Sequence, residues 1–347
     1  MRKEPRVYIM ILNWNGWKNT IECLESVQQL NYENFQIVVI DNHSSDNSLE
    51  HIAAWAKGDL AVESSVITYR ANNKPAKIIN YNRLTAEKGG DLGLESNLES
   101  YDGKQGLVLI DSGANLGNAG GNNVGIRYAI KRNDFDFIWI LNNDTVLSPN
   151  SLKCMIQLMQ TDDTIGICGS TLLFYDQPDL VQALGGGRYY KFLGLSHNLG
   201  TFTRADRLWD TARVEKNMDY VMGASMMVSR NFIKDTGLMN EEYFLYFEEL
   251  DWATRGKKYR LAYARDSIVY HKEGGSTGFS SHWTKRSMAA DYWGQRNRLV
   301  FTRNFYPLAL PVVYLTLIVF MLRCLYRKQW DRAKMMLKLI LGFKTVV

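Results

Sequence analysis

The chain opens with short apolar runs separated by amphipathic stretches. "RVYIMIL" (6–12) and "FQIVVIDN" (35–42) are continuous apolar runs of strand length, as strands buried on both faces are. Between them, "WKNTIECLESVQQL" (17–30) places Ile21, Leu24, Val27 and Leu30 at helical spacing. "SDNSLEHIAAWA" (45–56) begins with capping residues and continues as a helix. The alternation resumes with a strand at "GLVLIDSG" (106–113), a helix at "GNNVGIRYAI" (121–130) and a strand at "FDFIWILNNDT" (135–145). This order predicts an α/β domain with a mainly parallel sheet. Residues 64–105 break the rhythm with polar, mixed-charge sequence and read as a surface insertion.

A different pattern closes the chain. "FYPLALPVVYLTLIVFML" (305–322) has 18 residues and no charge, against the ~20 that a membrane-spanning helix needs. Residues 323–347 then mix Leu, Met and Trp with seven Lys/Arg and a single acid. The whole chain carries a net charge of +5, so its basic excess lies entirely in this tail. Such a basic amphipathic piece suits an anionic membrane surface, lying flat or, alternatively, following a single span. A helical pair packed on the protein itself is the structural alternative. The body offers no broad nucleic-acid footprint. Residues 1–280 thus read as the α/β domain and 281–347 as a helical extension. Four scattered cysteines with no CxxC pair fit a reducing compartment, and the N-terminal apolar run is too short for a signal peptide.

Polar clusters sit where the predicted strands end, which is where ligands bind in open α/β sheets. "LNWNG" (12–16) offers the amides of Asn13 and Asn15 and the flat ring of Trp14. In "DNHSSDNS" (41–48), Asp41 can accept from a base or a ribose hydroxyl, while Ser44 and Asp46 can equally cap the next helix. "NLGNAGGNN" (115–123) combines Asn115 with Gly117, Gly120 and Gly121 at a helix start, where backbone N–H groups attract phosphate. "LNNDT" (141–145) ends a buried strand with Asn142, Asn143 and Asp144, and one carboxylate with phosphate oxygens is enough to hold Mg²⁺. "IVYHKEGGSTG" (268–278) places His271 at a strand end before glycines. Finally, "YFEELDWATRG" (246–256) crowds Glu248, Glu249 and Asp251 against Phe247 and Trp252. Burial and mutual repulsion raise carboxylate pKa values in such a cluster. Asp251 and Arg255 stand four apart, as a structural pair on one helix face would.

These motifs, in this order and together with "MGASMMVSR" (222–230), resemble the family 2 glycosyltransferases of GT-A fold, nearest their bacterial rhamnosyltransferase-like branch. The match runs over roughly residues 6–278, and "DYWGQRNRLVFTRN" (291–304) resembles the helical extension of that branch. The resemblance implies that Asn13, Trp14, Asn15, Asp41, Ser44 and Asp46 frame the nucleoside, and that Asn115, Gly117, Gly120 and Gly121 lie along the donor. Asn142-Asn143-Asp144 takes the family's DxD position, with Asn where its first Asp stands. Asp144 then becomes the metal ligand for Mg²⁺ or Mn²⁺, with His271 a later ligand or a diphosphate contact. Gly223, Ala224, Ser225 and Trp252 would line the sugar or acceptor pocket. Glu249 takes the position of the general base, where the family usually has Asp, with Glu248 the alternative.

The activity so implied is inverting transfer of one sugar per encounter, because "GQRNR" (294–298) stands in place of the QxxRW of processive synthases. The branch suggests dTDP-rhamnose as donor, with a UDP-hexose as the alternative. The tail suggests a glycan or polyprenyl-linked glycan acceptor at the cytoplasmic face of the cell membrane, in cell-surface polysaccharide synthesis. Two other classes compete: a non-catalytic nucleotide-sugar binder and a nucleotidyltransferase. The acids at 144, 248 and 249 weigh against the first, and "NWNGWKNT" is a poor activation loop for the second.

Overall fold

The computed structural model describes residues 4–96, 98, 105–272 and 287–343. Strand β1 (Val7–Asn13), helix α1 (Trp17–Val27), strand β2 (Phe35–Asp41) and helix α2 (Ser48–Lys57) follow the predicted order. Next come β3 (Ile78–Asn82), α3 (Arg83–Glu87), α4 (Leu92–Glu95), β4 (Leu107–Asp111), α5 (Gly117–Arg132), β5 (Phe137–Asn142), β6 (Thr145–Leu147) and α6 (Ser151–Met159). The second half holds β7 (Ile165–Phe174), β8 (Gln177–Leu184), β9 (Gly186–Tyr190), β10 (Leu195–Asn198), α7 (Thr211–Lys216), β11 (Tyr220–Val221), β12 (Ser225–Ser229), α8 (Arg230–Thr236), α9 (Glu248–Arg255) and β13 (Arg260–His271). Helices α10 (Met288–Phe305), α11 (Leu310–Tyr326) and α12 (Trp330–Ile340) complete it.

The main sheet runs β3-β4-β2-β1-β5-β12-β7-β13-β6, with β8 added on β7. Its first five strands are parallel, and β12 enters antiparallel between β5 and β7. The register aligns their carboxyl ends: Asn13 faces Asp41, Leu12 faces Asn142, and Asp111 faces both Asp41 and Asn82. The polar end-residues of separate sequence motifs therefore form one rim. Alternate strand residues fill two apolar layers. Tyr8, Met10, Val38 and Ile40 pack with Val124 and Tyr128 of α5 on one side. Val7, Ile9, Ile37 and Val39 pack with Leu24 and Trp55 of α1 and α2 on the other.

Residues 64–105 correct the expectation of a surface insertion. Residues 78–82 are the edge strand β3, whose half-polar "IINYN" lacks the apolar signature of its buried neighbours. The segment also reaches into the core. Lys74 Nζ lies 2.9 Å from Glu25 Oε2, both buried, while Trp55 Nε1 donates to the same oxygen at 3.0 Å and the Arg70 N–H to Glu25 Oε1 at 3.0 Å. Helix α5 starts at Gly117, four residues earlier than its pattern suggests. The strand foreseen over 135–145 breaks into β5 and β6 around Asn143 and Asp144.

At the C-terminus, α10, α11 and α12 share a small core that includes Tyr292, Leu299, Val313, Leu317, Met335, Met336 and Leu339. Residues Pro307–Tyr326 are long and apolar enough to cross a membrane, by length and composition.

Candidate active site

The site grows from the rim of the parallel sheet. Asn13, at the end of β1, donates through Nδ2 to Asp41 Oδ1 (2.6 Å) and Ser44 Oγ (3.1 Å), and accepts at Oδ1 from Thr20 Oγ1 (2.6 Å). The Ser44 N–H donates to Asp41 Oδ2 at 2.9 Å, and the Asn15 N–H donates to Ser44 Oγ at 2.9 Å. Asn15 Oδ1 accepts from the Ser45 N–H at 2.7 Å. Trp14 remains exposed beside this knot. Asp46 accepts from Ser48 Oγ at 2.5 Å, while the N-cap of α2 is Asn47 and makes no side-chain cap bond, so the helix-cap role foreseen for this loop is not what Asp46 performs here. Asn115 Oδ1 accepts from the Gly117 N–H (3.0 Å) and from Asn42 Nδ2 (3.1 Å), which ties the start of α5 to the end of β2.

Asp144 and His271 meet at the far part of the same rim. His271 closes β13 opposite Thr145, and its Nε2 lies 3.2 Å from Asp144 Oδ1, both side chains being buried. The other ring nitrogen, Nδ1, lies 2.7 Å from Gln182 Oε1 on β8. With the proton on Nδ1 for that bond, Nε2 turns a lone pair toward a carboxylate oxygen. In that tautomer the two atoms face each other as acceptors, an arrangement that a metal ion beside them would satisfy. Two ligand atoms at right angles on a Mg²⁺ bound at ~2.1 Å lie about 3 Å apart, so the pair fits adjacent coordination positions. Among the described residues no group of three or more His, Cys, Asp or Glu could hold a metal. The remaining coordination positions would fall to diphosphate oxygens and water, the usual arrangement for Mg²⁺.

The third part is the turn into α9. Phe244, Tyr246 and Phe247 all have positive φ (44°, 68° and 75°), a costly conformation for bulky side chains that persists only where the surroundings enforce it. The enforcement is visible. Asn297 on α10, itself fully buried, donates through Nδ2 to the carbonyls of Tyr243 (2.7 Å), Leu245 (2.7 Å) and Tyr246 (3.0 Å). The Asn118 N–H donates to the Phe244 carbonyl at 2.5 Å, and Gly117, at φ 71°, has no Cβ to collide with that carbonyl. The turn delivers Glu248 and Glu249 to the first turn of α9.

Glu248 is buried, and Asn118 Nδ2 donates to its Oε1, while its Oε2 has no hydrogen-bond partner among the described residues. Burial first, and the neighbouring Glu249 charge second, push the Glu248 pKa well above the usual carboxylate range; the Asn118 bond offsets part of this. Glu249 is half-buried and lies against Gly223, where any Cβ would collide with its carboxylate. Burial raises its pKa too, against the pull of backbone N–H groups including that of Gly223. Gly223 leads to Ala224, whose carbonyl accepts from the Asn142 N–H at 3.2 Å. That bond fixes the Gly223–Ala224 backbone, against which Glu249 lies, to the end of β5 two residues before Asp144.

Several expected site residues lie elsewhere. Trp252 is fully buried, donates from Nε1 to the Gly237 carbonyl at 2.8 Å and packs edge-on to Phe232, so it is core and not pocket wall. Ser225 is buried in β12 and bonds Trp139 Nε1 (3.0 Å) and Ser170 Oγ (2.7 Å). Asn143 turns inward, with Nδ2 on Thr20 Oγ1 at 3.0 Å. Gly120 and Gly121 are buried, and a Cβ on Gly121 would strike Leu12, so their smallness serves the approach of α5 to neighbouring side chains. Asp251 is buried against Arg255 Nε at 2.6 Å, and Arg255 also donates to the Thr236 and Leu238 carbonyls, so this pair is structural. Sequence reading missed Asn118, Gln182, Asn42 and Asn297. Asn118 stood inside a quoted motif, whereas nothing local connects Gln182 with a histidine 89 residues away.

Family comparison agrees with the geometry. The model of "Glycosyl transferase family 2" matches residues 8–92 and that of "Glycosyltransferase like family 2" matches residues 101–299. The chain belongs to glycosyltransferase family 2, and it is a glycosyltransferase of GT-A fold. It is 24% identical over 181 residues to the low-salt glycan biosynthesis hexosyltransferase Agl10 of Haloferax volcanii, covering 50% of this chain and 54% of that protein. This chain thus matches about half the length of that relative. A mannosyltransferase of Pyrobaculum calidifontis, solved with GDP-Man and Mn²⁺, superposes with a TM-score of 0.51 at 13% identity, over 98% of this chain and 86% of that one. GalNAc-T7 with UDP, GalNAc and Mn²⁺ also superposes at 0.51, with 14% identity, over 86% of this chain and 51% of the other. These likenesses concern the fold.

Proposed function

We propose that this enzyme is an inverting, non-processive hexosyltransferase that moves a sugar from a nucleoside-diphosphate donor to a hydroxyl of a glycan or lipid-linked glycan. dTDP-rhamnose is the donor favoured by the motif order. The observation that carries the reading is an acidic pair, buried Glu248 and half-buried Glu249 against Gly223, together with Asp144 facing His271 just beyond the end of β5. In this reading Asp144 and His271 serve the diphosphate of the donor, and the glutamates serve the attacking hydroxyl.

Burial raises the pKa of both glutamates, so the pair holds a proton more readily than free carboxyls do; we assign the carboxylate to Glu249, which lies against Gly223 at the base position of the motif, and the proton to Glu248. Glu249 takes the proton of the acceptor hydroxyl as its oxygen bonds to the anomeric carbon. The bond from that carbon to the diphosphate breaks with its electron pair leaving on the phosphate oxygen. Attack opposite to the leaving group inverts the anomeric centre. A divalent cation, Mg²⁺ or Mn²⁺, held by Asp144 and His271 would neutralise charge on the departing diphosphate. The two structural relatives solved with Mn²⁺ support that assignment. Asn13, Asp41 and Ser44 form the wall for nucleoside and ribose, with Trp14 as an exposed stacking surface. Phe244, stacked on Trp293 at 4.7 Å, and Phe247 limit access of water, the competing nucleophile.

The C-terminal helices bring the enzyme to the cytoplasmic face of a membrane, where a lipid-linked acceptor would be presented. Calorimetric titration with dTDP, UDP and GDP, each with and without Mn²⁺, tests the donor site. Metal-dependent binding of one nucleotide, lost in Asp144→Ala, is expected. Binding indifferent to both metal and Asp144 would overturn the metal assignment.

A further inference from the structure

Helix α11 has two faces of different fate. Val313, Leu317 and Cys324 are buried against α10 and α12. Leu308, just before the helix, and Val312, Leu315, Val319, Leu322 and Tyr326 are all exposed. At about 100° per residue these six fall within an arc of about 80° on the opposite side. A helix that is apolar all round belongs in a protein core or in lipid, and only one side of this one has its protein neighbour. Arg323, beside the stripe, and Arg327 and Lys328, just beyond it, are exposed cations.

A second element joins this helix. The hairpin between β9 and β10 carries Phe192, Leu193 and Leu195, all exposed, with exposed Lys191 beside them. Its tip is clamped onto α11. Buried Arg298 of α10 donates through Nη2 to both the Leu193 carbonyl and Thr316 Oγ1. At Gly194 a Cβ would sit 2.9 Å from Arg298 Nε and 3.0 Å from Val313 Cγ2, so only glycine fits this approach. Hairpin and helix are therefore fixed to each other, and each adds exposed apolar side chains and cations.

We infer that the outer stripe of α11 attaches to an anionic bilayer, with α11 lying flat and not crossing, and that the 191–195 hairpin tip, fixed to α11 through Arg298, is a second contact element. The inference rests on the membrane-surface reading above and adds a second contact element and an orientation. Crossing would tear α11 from α10 and α12 and leave Arg298 without Thr316. The basic flank supplies the charge match with anionic lipid, and amphipathic helices bind such surfaces through both terms.

The test is flotation of the full chain with phosphatidylcholine vesicles, with and without phosphatidylglycerol. Wild type is expected to float only with the anionic vesicles and to be released by alkaline carbonate. Leu315→Ser/Val319→Ser and, separately, Phe192→Ser/Leu195→Ser are each expected to lower the floated fraction roughly tenfold. Circular dichroism and nucleotide titration check that both variants are folded. Normal flotation of the hairpin variant would overturn the hairpin's part and leave the tail reading standing. Resistance to carbonate would overturn the flat orientation. Failure of wild type to float would overturn both membrane readings without touching the donor site. A dimer broken by Leu315→Ser/Val319→Ser, again without flotation, would assign the stripe to a second copy of the chain.

Discussion

His271 Nε2 stands 3.2 Å from Asp144 Oδ1, and Gln182 fixes the opposite side of the same ring at 2.7 Å. The carboxylate, the imidazole and the amide come from three separate stretches of chain, and each orients the next. Partners behind metal-binding histidines typically change affinity by ~10–100-fold when removed. Gln182→Leu is therefore expected to weaken Mn²⁺ binding in the presence of nucleotide by that factor, with nucleotide binding in chelator unchanged. Mn²⁺ titration followed by electron paramagnetic resonance measures it. An unchanged affinity would remove His271 from the metal site.

Glu249→Ala should lower the transfer rate by ~10²–10⁴, the usual contribution of a general base, with donor binding intact. Glu248→Gln, which copies the protonated partner, should cost much less. The raised pKa of Glu249 sets the sign of the pH profile: transfer rises with pH until the carboxylate is ionised and then levels. If Glu248→Gln proves the more damaging variant, the two roles are exchanged.

The same pair predicts a stability effect. A carboxyl whose folded pKa is raised contributes stability below its unfolded pKa, and that contribution is lost as pH rises toward the folded value. Glu248 follows this rule, since burial is the leading cause of its shift. Glu248→Gln should raise the melting temperature relative to wild type at pH 8, with a smaller gain at pH 5. Thermal scans at the two values decide it, and a loss at pH 8 would mean that the ionised form has an unseen partner.

Asn297 holds three carbonyls of the turn before Glu248, those of Tyr243, Leu245 and Tyr246. Asn297→Leu would leave buried carbonyls unpaired at about 1–3 kcal/mol and free the turn to relax. The expected signature is a lower kcat with donor affinity nearly unchanged, measured by steady-state kinetics beside calorimetry. Equal losses in both would indicate general unfolding.

Most of the parallel half was legible because its strands are buried on both faces and its helices are amphipathic. β3 was not, since an edge strand with Asn80 and Asn82 looks like polar connection. The motif residues were legible as a set but not as individuals. Trp252 lies four residues after Glu248 on one short helix, yet it turns into the layer beside Phe232. Ser225 follows two residues after Gly223 and is already inside the strand covered by β5 and β7. Spacing puts each of these pairs on one face of its element, so only packing decides which member of a motif reaches the cleft. Gln182 and Asn297 act across long stretches of chain, so no local spacing announces them.

The buried Glu25–Lys74 pair has a consequence for descent. The acid sits on α1, in the segment that begins the fold, and the lysine on a stretch that looks dispensable. Trimming that stretch alone would strand a carboxylate against Trp55 with no counter-charge, a change that costs several kcal/mol. The two positions should therefore be gained and lost together: a homologue with a short connection between α2 and the edge strand should carry an uncharged residue where this chain has Glu25.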